Sequence, residues 1–190
     1  MTIPVWNSAG VIPPIRPDQD GAGPDRSPYH VTSDLFIKSM CLTDDRAKIL
    51  RGLLNYRKGL YGLGLTTGYQ WLDGSFCEEI EVFEKRAPRD IDAVTFLDLP
   101  ASFDRKQIAK YPDLFDKAEA KRVHFVDANF VQLGQPLTEN SVRTVAYWYS
   151  LWSHRRDGLW KGFAQVPLSH DNDAVALEII DDFEKGRGQS

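Results

Sequence analysis

Between residues 44 and 61 the apolar positions Ile49, Leu50, Leu53, Leu54, Leu60 and Tyr61 recur at helical spacing, which predicts an amphipathic helix. Asp44 and Asp45 stand at its start, where the helix dipole favours negative charge, and Gly62 and Gly64 end it. A shorter helix is predicted over 32–40, begun by Thr32 or Ser33 with Asp34 in the first turn. The pattern then shortens. Segments 69–72, 90–96 and 122–128 read as strands, and a helix over 112–120 connects the last two. Further on, Val142, Val145, Ala146, Tyr149 and Trp152 mark one face of a helix capped by Thr138 or Asn140. A turn at Asp157-Gly158 leads to a short strand over 162–166. Asn172 or Asp173 then caps a last helix, buried through Ala176, Ile179, Ile180 and Phe183. Strands interleaved with helices predict an α/β or an α+β sheet, and the form expected is α+β, a small mixed β-sheet with helices packed against it.

Proline changes the picture at the N-terminus. Residues 1–28 hold six of the eleven prolines together with Gly10, Gly21 and Gly23, a stretch that sustains neither helix nor central strand. It reads as an extended arm pinned by Trp6, Val11 and Ile12, followed by a polar loop. The division expected is therefore a proline-rich arm over 1–28 and a single domain over 29–190, in keeping with a chain of 190 residues. The arm either covers the core or gates a site.

Composition narrows the function classes. No apolar run reaches the length of a membrane span, and no signal pattern opens the chain. Two cysteines, Cys41 and Cys77, suit reduced thiols, so a cytoplasmic location is expected. A net charge of −4 argues against gripping duplex DNA or long RNA and favours a nucleotide, a small substrate or a protein partner.

The chemistry concentrates between Trp71 and Asp98. Asp90-Ile91-Asp92 enters an apolar strand, and period-two alternation puts both carboxylates on one face. Carboxylates so placed repel unless a cation lies between them, and magnesium is held by one or two carboxylates plus substrate phosphates. Asp127 closes a second apolar segment, 123–127. If the two strands are neighbours, three carboxylates converge at one sheet end, an arrangement able to hold two metals. Gly74-Ser75 adds a turn whose backbone N–H groups and hydroxyl can bind phosphate oxygens. Each part has a plainer alternative: an ordinary turn at Gly74-Ser75, a solvated strand end at Asp90 and Asp92 beside Arg89, and a turn cap at Asp127. Asp73 either faces the same site or bonds the turn.

This order of motifs resembles the nucleotidyltransferase superfamily typified by DNA polymerase beta and its minimal bacterial members. A Gly-Ser at a strand–helix junction is followed there by an Asp-x-Asp on the next strand and a third Asp on a later one. The chain is also similar to an uncharacterised group of bacterial proteins with that fold, from the Pro13-Pro14 arm to Arg155-Arg156-Asp157-Gly158. The resemblance implies the nucleotidyltransferase fold and transfer of a nucleoside monophosphate, AMP from ATP first among them, to an acceptor hydroxyl. It implies that Asp90, Asp92 and Asp127 are catalytic and hold Mg2+, two ions in all, with Mn2+ as the alternative. Gly74 and Ser75 would cradle the β- and γ-phosphates. A partner protein is the first-ranked acceptor and RNA ranks below it, by analogy with minimal relatives that act as antitoxins beside a toxin.

Two further features remain. His154, Arg155, Arg156 and Lys161, beside Trp148, Trp152 and Trp160, could frame a nucleotide's base and phosphates; alternatively they form a basic helix end. Arg155, Arg156 and Lys161 are thus candidate nucleotide-binding residues. The four histidines show no ligand spacing, and His124 is expected on the sheet face away from Asp127. The rival to the enzyme is a non-catalytic module of the same fold, regulating a partner protein in a toxin–antitoxin pair.

Overall fold

The computed structural model describes residues 2–187, so residue 1 and residues 188–190, the outer limits of the two expected regions, lie outside the described residues. Five strands form one mixed sheet. In chain order they are β1 (Tyr29–His30), β2 (Gly68–Asp73), β3 (Ile91–Leu97), β4 (Val126–Gln132) and β5 (Ala164–Pro167). Across the sheet the order is β1-β5-β2-β3-β4. β2 runs antiparallel to both β3 and β5, whereas β3 and β4, and likewise β1 and β5, are parallel.

Strand parity divides the sheet into two chemically different faces. Leu72, Ile91, Ala93, Leu97, Val126, Ala128, Ala164 and Val166 point to one side, into the larger core. Three helices close that core: α1 (Ser33–Met40), α2 (Asp44–Gly62) and α7 (His170–Arg187). Trp71, Val94 and Phe96 point to the other side and meet Phe163 and Trp152 in a small aromatic core. Trp152 ends α6 (Glu139–Trp152), which Thr138 opens with a capping box to Ser141. Among the described residues no helix is long and apolar enough to cross a membrane.

The helices over 32–40 and 44–61 form as their patterns predict, as α1 and α2; the side chain of Thr43 caps α2 by accepting from Arg46 N. Three readings are corrected. The helix expected over 112–120 is two pieces, α4 (Pro112–Phe115) and α5 (Lys117–His124), parted at Asp116, whose side chain caps the second. The strand expected over 122–128 starts only at Val126. Residues 122–124 belong to α5, and Phe125 in the left-handed region (φ 59°) turns the chain into β4. His124 consequently lies on a helix, edge-on to Tyr56, and not on a sheet face. Finally, α7 begins at His170, and Asp173 lies inside it. Its buried carboxylate accepts from Ser33 Oγ at 2.6 Å, Arg57 Nε at 2.7 Å and the Tyr61 hydroxyl at 2.7 Å. An aspartate near a helix start looks like a cap in sequence; here a fully buried arginine from α2 claims it.

The arm is fastened along much of its length. Trp6 Nε1 donates to Cys77 O at 2.8 Å, Glu79 N donates to Gly10 O at 2.8 Å, and Gly162 N donates to Ile12 O at 2.7 Å. It thereby holds the segment that follows β2 and leads into the short helix α3 (Ile80–Phe83), where the buried Arg46 guanidinium donates to Phe76 O and Glu78 O, each at 2.7 Å.

Candidate functional site

β2, β3 and β4 end in register. Asp73 pairs with Asp92 across the antiparallel ladder, and Asp92 pairs with Asp127 across the parallel one. Side chains directly opposite one another share a face, so three carboxylates form a row on the α6 side of the sheet, just beyond Trp71 and Val94. Asp90 joins the row from the residue before β3. The convergence expected of Asp90, Asp92 and Asp127 is therefore found, with Asp73 as a fourth member. Its position one strand over becomes readable only once β2 and β3 are known to pair in this register.

Gly74 turns the chain sharply away from the row. Its φ of 83° and ψ of −170° lie in a region essentially restricted to glycine. A Cβ there would collide with the Asp92 carboxylate, so the turn and Asp92 are fitted to each other. Ser75 opens a short 3-10 turn over Ser75–Cys77. Together Gly74, Ser75 and the acidic row line a cleft of about 850 Å³, walled on its far side by Trp152, Arg155 and Arg156.

The charges in this cleft are unevenly matched. Lys161 is buried beneath the turn, its Nζ 2.8 Å from Glu78 Oε1 and 3.1 Å from Asp73 Oδ1, with Gly74 O at 3.5 Å. The approach to Asp73 is an ion pair without hydrogen-bond alignment, for Asp73 Oδ1 is buried and accepts no hydrogen bond. Burial lifts the Asp73 carboxyl to about 7 against the pull of Lys161. Burial also works against the Lys161 charge, but Asp73 and Glu78 together outweigh it and hold the ammonium above its usual range. Asp92 is pushed up to about 6, first by burial and then by repulsion from Asp127 and Asp90. It has no ion-pair partner among the described residues.

Two lysines that the sequence reading passed over reach into the row. Lys121 Nζ lies 2.8 Å from Asp90 Oδ2 and 3.5 Å from Asp127 Oδ2, and Lys117 Nζ lies 2.6 Å from Asp127 Oδ1. They stand one turn apart on α5, the helix that feeds β4, so their spacing from Asp127 and each other was the available signal. It was hidden because 122–124 reads as strand.

Of the basic cluster, Arg155 is occupied by Asp157, its Nε 2.9 Å from Oδ2. Arg156 is exposed, lines the cleft and has no carboxylate partner among the described residues. Trp152 packs on Phe163, 6.0 Å between ring centroids, and Trp148 packs on Trp152 at 5.6 Å.

The row consists of carboxylate oxygens, the ligands a hard divalent ion prefers, and Asp92 is the carboxylate that an added cation would relieve most. These residues suit Mg2+ or Mn2+ chemically. As the side chains stand, no group of three or more His, Cys, Asp or Glu among the described residues is drawn together to hold an ion. Lysine nitrogens take that place at Asp90 and Asp127.

Comparison with curated proteins and with solved structures finds no match for the chain. A family model, described as a family of unknown function (DUF6932), matches residues 4–167 and so takes in the arm, the Gly74 turn, the acidic row and β5. The chain belongs to that family of unknown function.

Proposed function

We propose that this chain is a metal-dependent nucleotidyltransferase, moving a nucleoside monophosphate from its triphosphate to an acceptor hydroxyl, with ATP as the first donor to test. The observation that carries the reading is the register of Asp73, Asp92 and Asp127 across three adjacent strand ends, beside a turn whose glycine abuts Asp92. Asp90, Asp92 and Asp127 would hold the metal. When bound, Mg2+ would supply charge neutralisation at the phosphates and lower the pKa of an attacking hydroxyl. Gly74 and Ser75 would place backbone N–H groups and a hydroxyl against the terminal phosphates. Lys161, already shared among Asp73, Glu78 and Gly74 O, would hold that turn in place. Arg156 is the cleft's available guanidinium for a phosphate fork.

The rival reading is a partner-regulating module without turnover. One observation favours it: α6 leaves Val142, Tyr147 and Leu151 at least half exposed, a surface on which another protein could rest. Titration with the four nucleoside triphosphates, with and without Mg2+, separates the two. Binding that requires Mg2+ and is lost in Asp90→Ala/Asp92→Ala supports the enzyme; a folded chain that binds none supports the module.

A further inference from the structure

We propose that Lys117 and Lys121 of α5 are built-in competitors of the divalent ion, occupying the carboxylates until metal displaces them. The inference rests on the metal role given above to Asp90, Asp92 and Asp127. Lys121 bridges Asp90 and Asp127, and Lys117 takes the other oxygen of Asp127. While the ammonium groups hold them, Asp90 Oδ2 and both oxygens of Asp127 are engaged and not free to accept a metal ion. Both lysine side chains are about half exposed, 59% and 47%, so each can swing into water without disturbing the core. The carboxylates are by contrast mostly buried, 14% and 17% exposed, and fixed by the strand ends.

The charge ledger of the cleft points the same way. Lys161 is committed to Asp73 and Glu78, Arg155 to Asp157 and Arg86 to Glu84. The α5 lysines are the mobile cations in direct contact with the row. Entry of a doubly charged ion frees them beside the metal, where the incoming phosphates carry the opposite charge. The exchange keeps Asp90 and Asp127 counter-charged in both states and leaves Asp92 as the carboxylate that gains a cation only when metal enters.

The test is Mn2+ binding alone, followed by the electron paramagnetic resonance signal of free Mn2+ at low ionic strength, with no turnover required. Lys121→Met is expected to bind Mn2+ about fivefold more tightly than wild type, the size corresponding to two exposed ion pairs. Lys117→Met/Lys121→Met is expected to gain about tenfold. Lys121→Arg, which keeps the charge, should match wild type, and Arg86→Gln, which removes a cation of the same cleft that is paired with Glu84, should change affinity less than twofold. Melting supplies a second readout: Lys121→Met should melt lower than wild type in EDTA and gain more on adding Mn2+. Unchanged or weaker Mn2+ binding in Lys121→Met, with wild-type binding that Asp92→Asn abolishes, overturns the exchange and leaves the metal reading intact. Equal gains in Arg86→Gln and Lys121→Met overturn it too, since a general field and not contact would then be responsible. Absence of Mn2+ binding in wild type and lysine variants alike overturns the metal reading and the exchange together.

Discussion

Asp92→Asn should stabilise the metal-free protein while removing its metal-dependent binding. The wild-type carboxyl is raised from its ordinary 3.8 to about 6 by burial and by its two acidic neighbours. A group that binds its proton more tightly when folded lowers stability wherever it must ionise. The penalty is therefore absent below about pH 4, grows as pH rises toward 6, and stays constant above that. Two pH units correspond to about 2.7 kcal/mol. Asp92 is only partly buried, and solvent screening reduces the figure, so a gain of about 1–2 kcal/mol for asparagine is expected. Asparagine keeps the size of the side chain and leaves Gly74 undisturbed. The assay is urea unfolding in EDTA at pH 4, 5, 6 and 8, comparing midpoints at a common slope. The two proteins should coincide at pH 4 and separate with rising pH, and Mg2+ should close the gap by stabilising wild type alone. An asparagine variant equal to or less stable than wild type at pH 8 would refute the reasoning, because Asp92 would then be satisfied by its surroundings.

Gly74→Ala places a Cβ in the left-handed region and against Asp92, so a loss of about 2–3 kcal/mol is expected, read as a lowered urea midpoint together with weakened nucleotide binding. Lys161→Met leaves Asp73 and Glu78 buried without their cation. It should cost about 3–5 kcal/mol at pH 8 and less at pH 5, where a protonated Asp73 needs no partner, measured by the same unfolding curves. Asp173→Ala strips the buried Arg57 guanidinium of its carboxylate and should cost about 3–5 kcal/mol. Its melting temperature should fall while the pH dependence assigned to Asp92 persists.

The long apolar repeat of α2 was legible because helical spacing over several turns has few competing readings, and the short α1 was legible from its start signal, Thr32 or Ser33 followed by Asp34. The strands β2 and β3 were likewise legible from their apolar runs. The boundary at Phe125 was not, since 122–128 alternates well enough to pass for a strand, and the helix ends at a left-handed residue other than glycine. That single shift concealed Lys121, which the helix expected over 112–120 leaves out, and with it the one-turn spacing to Lys117. Asp90, Asp92 and Asp127 could be proposed from order and parity alone, but Asp73 depended on the β2–β3 register, a long-range property. Asp173 shows the opposite failure, where a local rule for caps gave way to a tertiary ion pair. Arg46 and Arg57, which no local pattern marks, are both buried, because carbonyls and carboxylates from other elements satisfy them.

The central claim is that the acidic row and the Gly74 turn form a metal–triphosphate site. The most direct measurement is calorimetric titration of the wild-type chain with ATP, GTP, CTP and UTP in Mg2+ and in EDTA, with Asp92→Asn as the matched control. Saturable binding of a triphosphate in Mg2+, absent in EDTA and absent in the folded Asp92→Asn protein, is the predicted result. Binding that survives EDTA or the Asp92 substitution, or no binding of any triphosphate by the folded wild-type protein, would contradict it.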